Sequence, residues 1–523
     1  MSVVRGAASV GFGLAPAREA RPIRAGERIH VVGAAGAGAS AAVILAAAER
    51  AEVSGCDPAG HSPYTPAIEA LGISLAGGHD PGHVTKAPAP DRLAVTKALT
   101  AIDPHNAELE AARGAGIPIE PWQQVIADAA VGRLLVGVAG THGKSTTAGW
   151  LVHVLVQAGL DPSAFVGALL SGSITGGLPS TARTGAGRPF VVEADEYAGN
   201  FDAYRPDVAV LTSAEWDHPD VFADEDAVIA TFAAWLGRAP IAARSPMLIA
   251  NVADRGVAAV VERLREWSGL VCAVSLVGDT GPLPDVLRRA AMSEQFATAG
   301  ARAQILLGRI AEAGPEGSLL EFGGAGTDGR VLAARLRLAG RHNAANAMCV
   351  AGAAIALGVS GDEVAAGLAS FEGVGRRLER KGEGRGVVVY DDYGHHPTAI
   401  RETLAAIRQR EPGKRIWAVY EPLTYHRTAA MLEQFAEALA GADAVAIADI
   451  WASRDPDTTV TSAAALAEAV ARRNPGIPAV APGSVEATAA WLAGQVRSGD
   501  AVLVMGGGRS YRIAELLVEA LRR

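Results

Sequence analysis

Cysteine is nearly absent from this chain, with three residues in 523: Cys56, Cys272 and Cys349. Such wide separation offers neither a disulfide framework nor a paired zinc motif, and a reducing, cytoplasmic setting is expected. Aromatic residues are scarce, at 5 %, so the cores must be built from aliphatic side chains. Basic charge is in deficit: Lys and Arg total 47 against 56 Asp and Glu, a net charge of −9. That balance argues against a general nucleic-acid binder, whose affinity rests on cationic surface. A convincing membrane span is missing too. The stretch from Val31 to Ala48 is apolar and long enough, but it is mostly Ala and Gly, and its glycines interrupt any helix at the start. No membrane partner is expected. Residues 1–26 hold Arg, Ala and Gly without an apolar signal core and cleavage site, and read as a loose, flexible extension.

What is present is an apolar fraction of 49 % and a charged fraction of 20 %, the balance of a globular chain. The length suggests roughly three or four domains. Short β-branched runs alternate with longer amphipathic ones. Ile29–Val32, a Gly/Ala loop, a helix over about 40–50 and a strand at 51–55 form a βαβ unit, and hence a parallel sheet. A second unit starts at Leu134–Ala139. A third runs from Val387–Tyr390 to Ala501–Met505. The expected architecture is α/β, with three domains in series after the extension: 27–133, Rossmann-like; 134–373, a phosphate-loop ATPase domain; and 374–523, again Rossmann-like.

The strongest motif is Gly140-Thr141-His142-Gly143-Lys144-Ser145-Thr146-Thr147, set between an apolar strand and a helical run. That context is what a phosphate loop requires. Glycines let backbone N–H groups approach phosphate oxygens, and the helix N-terminus adds positive potential. Lys144 would reach the outer phosphates and Ser145 would ligate Mg²⁺. Val138 stands where the usual first glycine would be, so the loop is a variant form.

Four further groups follow. Glu193-Ala194-Asp195-Glu196 ends a strand, where α/β sheets bind ligands, and carboxylates suit Mg²⁺; a solvated acidic turn is the bland alternative. His218, in Glu215-Trp216-Asp217-His218, also lies just past a strand end, in reach of a metal or phosphate. His342-Asn343 and Asn346 open an apolar helix, where Asn343 could read an adenine edge or cap the helix. Tyr390-Asp391-Asp392-Tyr393-Gly394-His395-His396-Pro397-Thr398 packs two Asp, two His and two Tyr between a strand and a helix, with no spacing of the zinc i, i+4 type.

Taken together and in this order, with Arg376-Arg377-Leu378-Glu379 between the last two, these motifs resemble the Mur ligase family, ATP-dependent amide-forming enzymes of peptidoglycan synthesis. The resemblance runs from about Ile29 to the C-terminus. It implies a first domain for the UDP-sugar, a second for ATP and a third carrying the amino acid. Gly36, Gly38 and Ser40 match the UDP-binding loop and Asp57 the acidic position after the second strand; a Rossmann dinucleotide loop is the competing reading. The resemblance implies that ATP phosphorylates the sugar's lactoyl carboxylate and an amine then attacks the acyl phosphate. Ser145 and Glu193 would hold one Mg²⁺ and His218 a second; Lys144 would complete the charge. His342, Asn343 and Asn346 would face adenine, Arg377 and Asp391 would close the nucleotide site, and Tyr393, His395 and Arg427 would line the amino-acid pocket.

Within the family, the His in the phosphate loop and the Asp391–Thr398 block are most similar to the branch that adds L-alanine to UDP-N-acetylmuramate. So are Tyr425, Arg427, Thr428 and the segment 449–454. Thr231–Leu236 lacks the lysine that other branches modify. Leu423 replaces a polar pocket residue of that branch, and Glu193–Tyr197, Trp216–Phe222 and Glu421-Pro422 look closer to the recycling branch that attaches a whole tripeptide to the same sugar nucleotide. A nucleotide-binding regulator without ligase activity is the alternative from another class. Monomer and homodimer are both compatible with the sequence.

Overall fold

The structure is a computed structural model that describes residues 10–238, 246–264, 266–278, 303–452, 455 and 457–523. Three sheets follow one another along the chain. The first has four parallel strands, β1 (Arg28–Val32), β2 (Glu52–Cys56), β3 (Arg92–Val95) and β4 (Ile119–Pro121), in the order β2-β1-β3-β4. The second has ten: β5 (Leu134–Ala139), β6 (Ser163–Leu170), β7 (Ser180–Arg183), β8 (Pro189–Glu193), β9 (Val208–Leu211), β10 (Met247–Asn251), β11 (Leu270–Leu276), β12 (Ala303–Gly314), β13 (Gly317–Gly324) and β14 (Val331–Leu336). The third has six: β15 (Glu379–Gly384), β16 (Val387–Asp392), β17 (Arg415–Glu421), β18 (Ala444–Ala448), β19 (Ala479–Gly483) and β20 (Asp500–Gly506), in the order β15-β16-β20-β17-β18-β19.

The ten-stranded sheet runs β14-β13-β12-β11-β10-β9-β5-β8-β6-β7. β5 pairs in parallel with β8 on one side and β9 on the other. The chain leaves β5 at its carboxyl end between two strands that diverge in connection, which is where open α/β sheets form a ligand crevice. The helix Lys144–Gln157 starts there, and the acidic end of β8 and the turn after β9 flank it.

The apolar stretch considered as a membrane span supplies the end of β1 and the helix Ala37–Ala48. Every residue from Ala39 to Ala46 is buried. A helix that is apolar all round needs cover on all sides; this one lies between the first sheet and β6 and β7 of the second, in a core shared with Phe165, Ala182 and Phe190. Small side chains let the two domains approach. Among the described residues no helix is long and apolar enough to cross a membrane.

The expected loose extension is corrected for residues 10–26. Arg18 pairs with Glu120 at 2.6 Å and Asp128 at 2.7 Å. Arg92, 2 % exposed, reaches the same two carboxylates and Glu27, while Arg21 pairs with Glu27 at 2.6 Å. Val10 and Ile23 are buried. Composition alone hid this, because the arginines that suggested a solvated tail find buried acids in the first domain. Residues 1–9 lie outside the described residues.

Candidate functional site

A cavity of about 710 Å³ opens where the three domains meet, lined from all three. The phosphate loop forms its floor. Gly143 has φ +80°, and a Cβ there would lie 2.4 Å from Asn346 Oδ1. Gly140, at φ +135°, sits against Thr212, whose Oγ1 would be 2.2 Å from a Cβ. Both positions demand glycine for backbone angle and for space. Lys144 Nζ donates to the Gly140 carbonyl at 2.7 Å and pairs with Glu196 at 2.9 Å and Asp195 at 3.6 Å. Burial opposes its charge, yet Glu196 and Asp195 hold its pKa above the ordinary lysine value.

Ser145 Oγ donates to Glu193 Oε1 at 2.9 Å, and Glu193 Oε2 accepts from the Gly167 N–H. Arg377, from the third domain, donates to the same Ser145 Oγ at 3.2 Å. The ligand atoms of Asp195, Glu196 and His218 lie within 4.8 Å of one another. His218 has φ +54° and its ring packs edge-on to Tyr197. Leu378 at +47° and Thr424 at +61° also line the cavity, so three non-glycine residues hold left-handed backbone there, the kind of strain that collects at functional sites.

A histidine group closes another wall. His142 Nε2 meets Glu215 Oε2 at 3.1 Å, and the His142 ring lies 4.5 Å from that of His396, tilted by 42°. His396 caps the helix Pro397–Arg410 by accepting from the Thr398 N–H, while its Nε2 donates to the Trp216 carbonyl. Burial beside His142 lowers its pKa to about 3. Burial, with Arg427 close by, also holds His395 neutral, well below the ordinary value. His395 Nδ1–H donates to the Tyr393 carbonyl at 2.9 Å, which leaves Nε2 with a free lone pair. Tyr393, Leu423 and Arg427 complete this wall. Leu423 is fixed by a β-bridge to Trp451.

Most of the residues singled out in the sequence face this one cavity: Thr141 to Thr146, Glu193, His218, His342, Asn343, Asn346, Arg377, Tyr393, His395, Arg427 and Gly38. Asn343 Nδ2 donates to the Ala339 carbonyl and its Oδ1 accepts from Asn346. His342 is pushed below its ordinary pKa by burial, with Glu402 3.8 Å away. Gly140, Gly36, Ser40, Asp57 and Asp391 do not line the cavity. Gly36 begins the helix Ala37–Ala48. Ser40 Oγ meets Thr181 Oγ1 across the domain boundary at 3.0 Å, and Asp57 accepts from the Ala35 N–H at 3.0 Å. Asp391 is fully buried behind the wall against Arg376, and burial raises its pKa to about 6. Its neighbour Asp392 lines the cavity instead, accepting from the Leu378 and Gly394 N–H groups. Alternation along β16 allows only one of the two to face the cavity; nothing in the sequence said which. Positions 453 and 454 of the segment 449–454 lie outside the described residues.

Glu215 and Arg376 are the residues to which the sequence reading gave no role. Glu215 pairs with His142 and lies 3.9 Å from the third domain's His396. Arg376 lies 5.0 Å from the Tyr393 and Tyr511 ring centres and orders the loop that carries Arg377. Adjacency to Arg377 was the signal for the second, and adjacency to the Asp217-His218 pair past a strand end was the signal for the first. The buried Nε atoms of Arg377 and Arg427 have no hydrogen-bond partner among the described residues, as guanidinium groups kept for an anionic ligand would.

Three domain models match the chain in series: Mur ligase family, catalytic domain, over residues 28–133; Mur ligase middle domain over 138–354; and Mur ligase, glutamate ligase domain, over 376–508. A UDP-N-acetylmuramate–L-alanine ligase of Roseiflexus sp. (strain RS-1) is 36 % identical over 435 residues, 82 % of this chain and 86 % of that protein. The chain belongs to the Mur ligase family. Mur ligases also supply the similar solved structures. A murein peptide ligase from Psychrobacter arcticus 273-4 superposes with TM-score 0.67 at 23 % identity, covering 95 % of this chain and 99 % of that one. A UDP-N-acetylmuramate–alanine ligase from Thermotoga maritima gives the same score at 21 % identity, covering 94 % and 98 %. At those identities the likeness is one of fold, and this Mur ligase shares its three-domain α/β architecture with both.

Proposed function

We propose that this Mur ligase joins L-alanine to the lactoyl carboxylate of UDP-N-acetylmuramate at the expense of ATP. The observation that carries the reading is the convergence on one cavity of a phosphate loop, an oxygen-donor metal set and the guanidinium groups of Arg377 and Arg427, each from a different part of the chain. The named relatives favour alanine as the amine donor.

The first domain offers its glycine-rich loop to the sugar nucleotide, with Gly38 on the cavity wall. The phosphate loop takes ATP: backbone N–H groups bind the phosphate oxygens, and Lys144 exchanges Glu196 for the outer phosphates. Mg²⁺ fits the residues present, because Ser145, Glu193 and the Asp195–Glu196–His218 group offer mainly hard oxygen donors, and once bound it would offset phosphate charge. Arg377 approaches Ser145 from the third domain, so closure of that domain brings a second cation to the migrating phosphoryl group.

Transfer forms a bond between a carboxylate oxygen and the γ-phosphorus and releases ADP. The amine then attacks the carbonyl carbon and phosphate departs with the transferred oxygen. Arg427 holds the amino acid's carboxylate, and the Nε2 lone pair of the neutral His395 accepts a hydrogen bond that orients the amine, whose proton leaves to solvent. Leu423 contacts a small aliphatic side chain without needing a hydrogen bond.

The test is isotopic. With ¹⁸O in the sugar's carboxylate, one labelled oxygen is expected in the released phosphate. Release of ADP with unlabelled phosphate would overturn carboxylate activation; nucleotide binding with no ADP release would favour a regulator.

A further inference from the structure

A second cluster of metal-type side chains lies in the first domain, and none of its members lines the cavity. His30 on β1, Cys56 at the end of β2, His83 and Glu108 bring four ligand atoms within 4.8 Å of one another. We propose that these four residues bind a zinc-type divalent metal ion that anchors the strand end beneath the glycine-rich loop.

The donor set is the first argument. Two imidazoles, a thiol and a carboxylate are the ligands that zinc selects and magnesium does not. The spacing is the second. Ligand atoms about 2.0–2.3 Å from a tetrahedral zinc stand roughly 3.3–3.8 Å apart. Here Cys56 Sγ lies 3.3 and 3.7 Å from the two Glu108 oxygens. His30 Nε2 and His83 Nδ1 lie 2.9 and 3.0 Å from Glu108 Oε1. The imidazole-to-carboxylate spacings are a few tenths of an ångström tighter than in a filled site, and those of the thiol already match one.

Burial is the third argument. The Glu108 side chain is wholly inaccessible, and its ion-pair partners among the described residues are His30, His79 and His83, with no Arg or Lys. A buried carboxylate without a fixed cation is costly, and a divalent ion would supply the missing charge. His30 is 3 % exposed, and its Nε2 has no hydrogen-bond partner of acceptable geometry. Its other nitrogen, Nδ1, is held by Ser54 Oγ at 2.8 Å. That is the outer-shell contact that orients a ligating imidazole. His79 Nδ1, 3.4 Å from Cys56 Sγ, stands by as an outer contact or fifth ligand. The partly exposed His79 and His83 side chains give an ion its way in.

The site has a mechanical role. The Cys56 carbonyl accepts the N–H groups of Gly33 and Ala34 at 2.9 and 3.1 Å, and the next residue, Asp57, accepts from Ala35. The glycine-rich loop therefore hangs from the strand end that the metal would fix. On binding, the Cys56 thiol loses its proton to solvent and the sulfur bonds the ion. Four ligands from four separate segments leave no paired spacing, which is why the sparse cysteines gave no sign of it.

The full chain, purified without chelator or immobilised metal, is assayed by elemental analysis and, after stripping, reconstituted with Co²⁺ in excess Mg²⁺. The expected result is about one zinc per chain and a thiolate-to-cobalt absorption band in the near ultraviolet. The band should persist in the Cys272→Ala/Cys349→Ala variant and vanish in Cys56→Ser, with His83→Ala retaining zinc at least about tenfold less tightly. Less than about a tenth of an equivalent after reconstitution with zinc, or no band in the wild-type chain, would overturn the proposal. So would a band lost with Cys272 and Cys349. If Cys56→Ser fails to fold, the wild-type chain and the double variant still decide.

Discussion

Arg427 and Asp217 form an ion pair of 2.5 Å between Nη2 and Oδ1, each side chain 5 % exposed, joining the third domain to the second across the cavity. Burial alone would raise the Asp217 pKa, but Arg427 and His218 pull it well below the ordinary carboxylate range. The pair thus holds two charges next to the pocket assigned to the amine donor. In the proposed reaction an incoming carboxylate takes over the guanidinium, so that Arg427 would serve both as a domain contact and as a substrate anchor.

Replacing Arg427 by Lys keeps the charge and loses the planar fork. The KM for L-alanine should rise about 30- to 100-fold, the worth of a charge-assisted bidentate contact, while ADP affinity changes little. Steady-state kinetics and calorimetry with ADP check this; an equal loss in both would mean that the pair serves domain docking alone.

Glu193 accepts from Ser145 and from the Gly167 N–H, so its side chain is positioned even without an ion. Glu193→Gln preserves the shape and removes the charge. The Mg²⁺ concentration for half-maximal rate should increase about tenfold or more, with thermal stability nearly unchanged. A titration of rate against Mg²⁺ reads it directly.

Glu421 gives a pH signature. Burial raises its pKa to about 7, despite opposing contacts from the Ser510 backbone and Arg376. A raised carboxyl keeps its proton in the folded chain after the unfolded chain has lost it. Stability therefore falls as pH rises from about 4.5 to about 7, by as much as roughly 3 kcal/mol, and is flat above. Glu421→Gln should lack this fall. Urea unfolding of both proteins at pH 5 and pH 8 should show the variant gaining on wild type at the higher pH.

Much of this site was readable from residues in order, because the strand-loop-helix grammar of Leu134–Gln157 carries its own geometry. The helix Ala37–Ala48 was placed within a few residues, yet its all-round burial depends on a second domain that local periodicity cannot see. Asp391 and Asp392 show a sharper limit. Adjacent residues on a strand face opposite sides, and the parity is set by the packing of β16 between β15 and β20, not by the two letters. His30, Cys56, His83 and Glu108 meet only through the parallel order of β1 and β2 and the helix Ala107–Gly114, so their juxtaposition belongs to topology alone. Arg18 likewise owes its order to acids about a hundred positions away.

The most direct test is ADP release by the purified chain with ATP, Mg²⁺ and UDP-N-acetylmuramate, supplied in parallel with L-alanine or with the tripeptide L-Ala-γ-D-Glu-diaminopimelate. Turnover with L-alanine and formation of the corresponding amide are expected, with little or none from the tripeptide. Turnover with the tripeptide alone would contradict the proposed function, and would make Leu423 the mark of a recycling ligase.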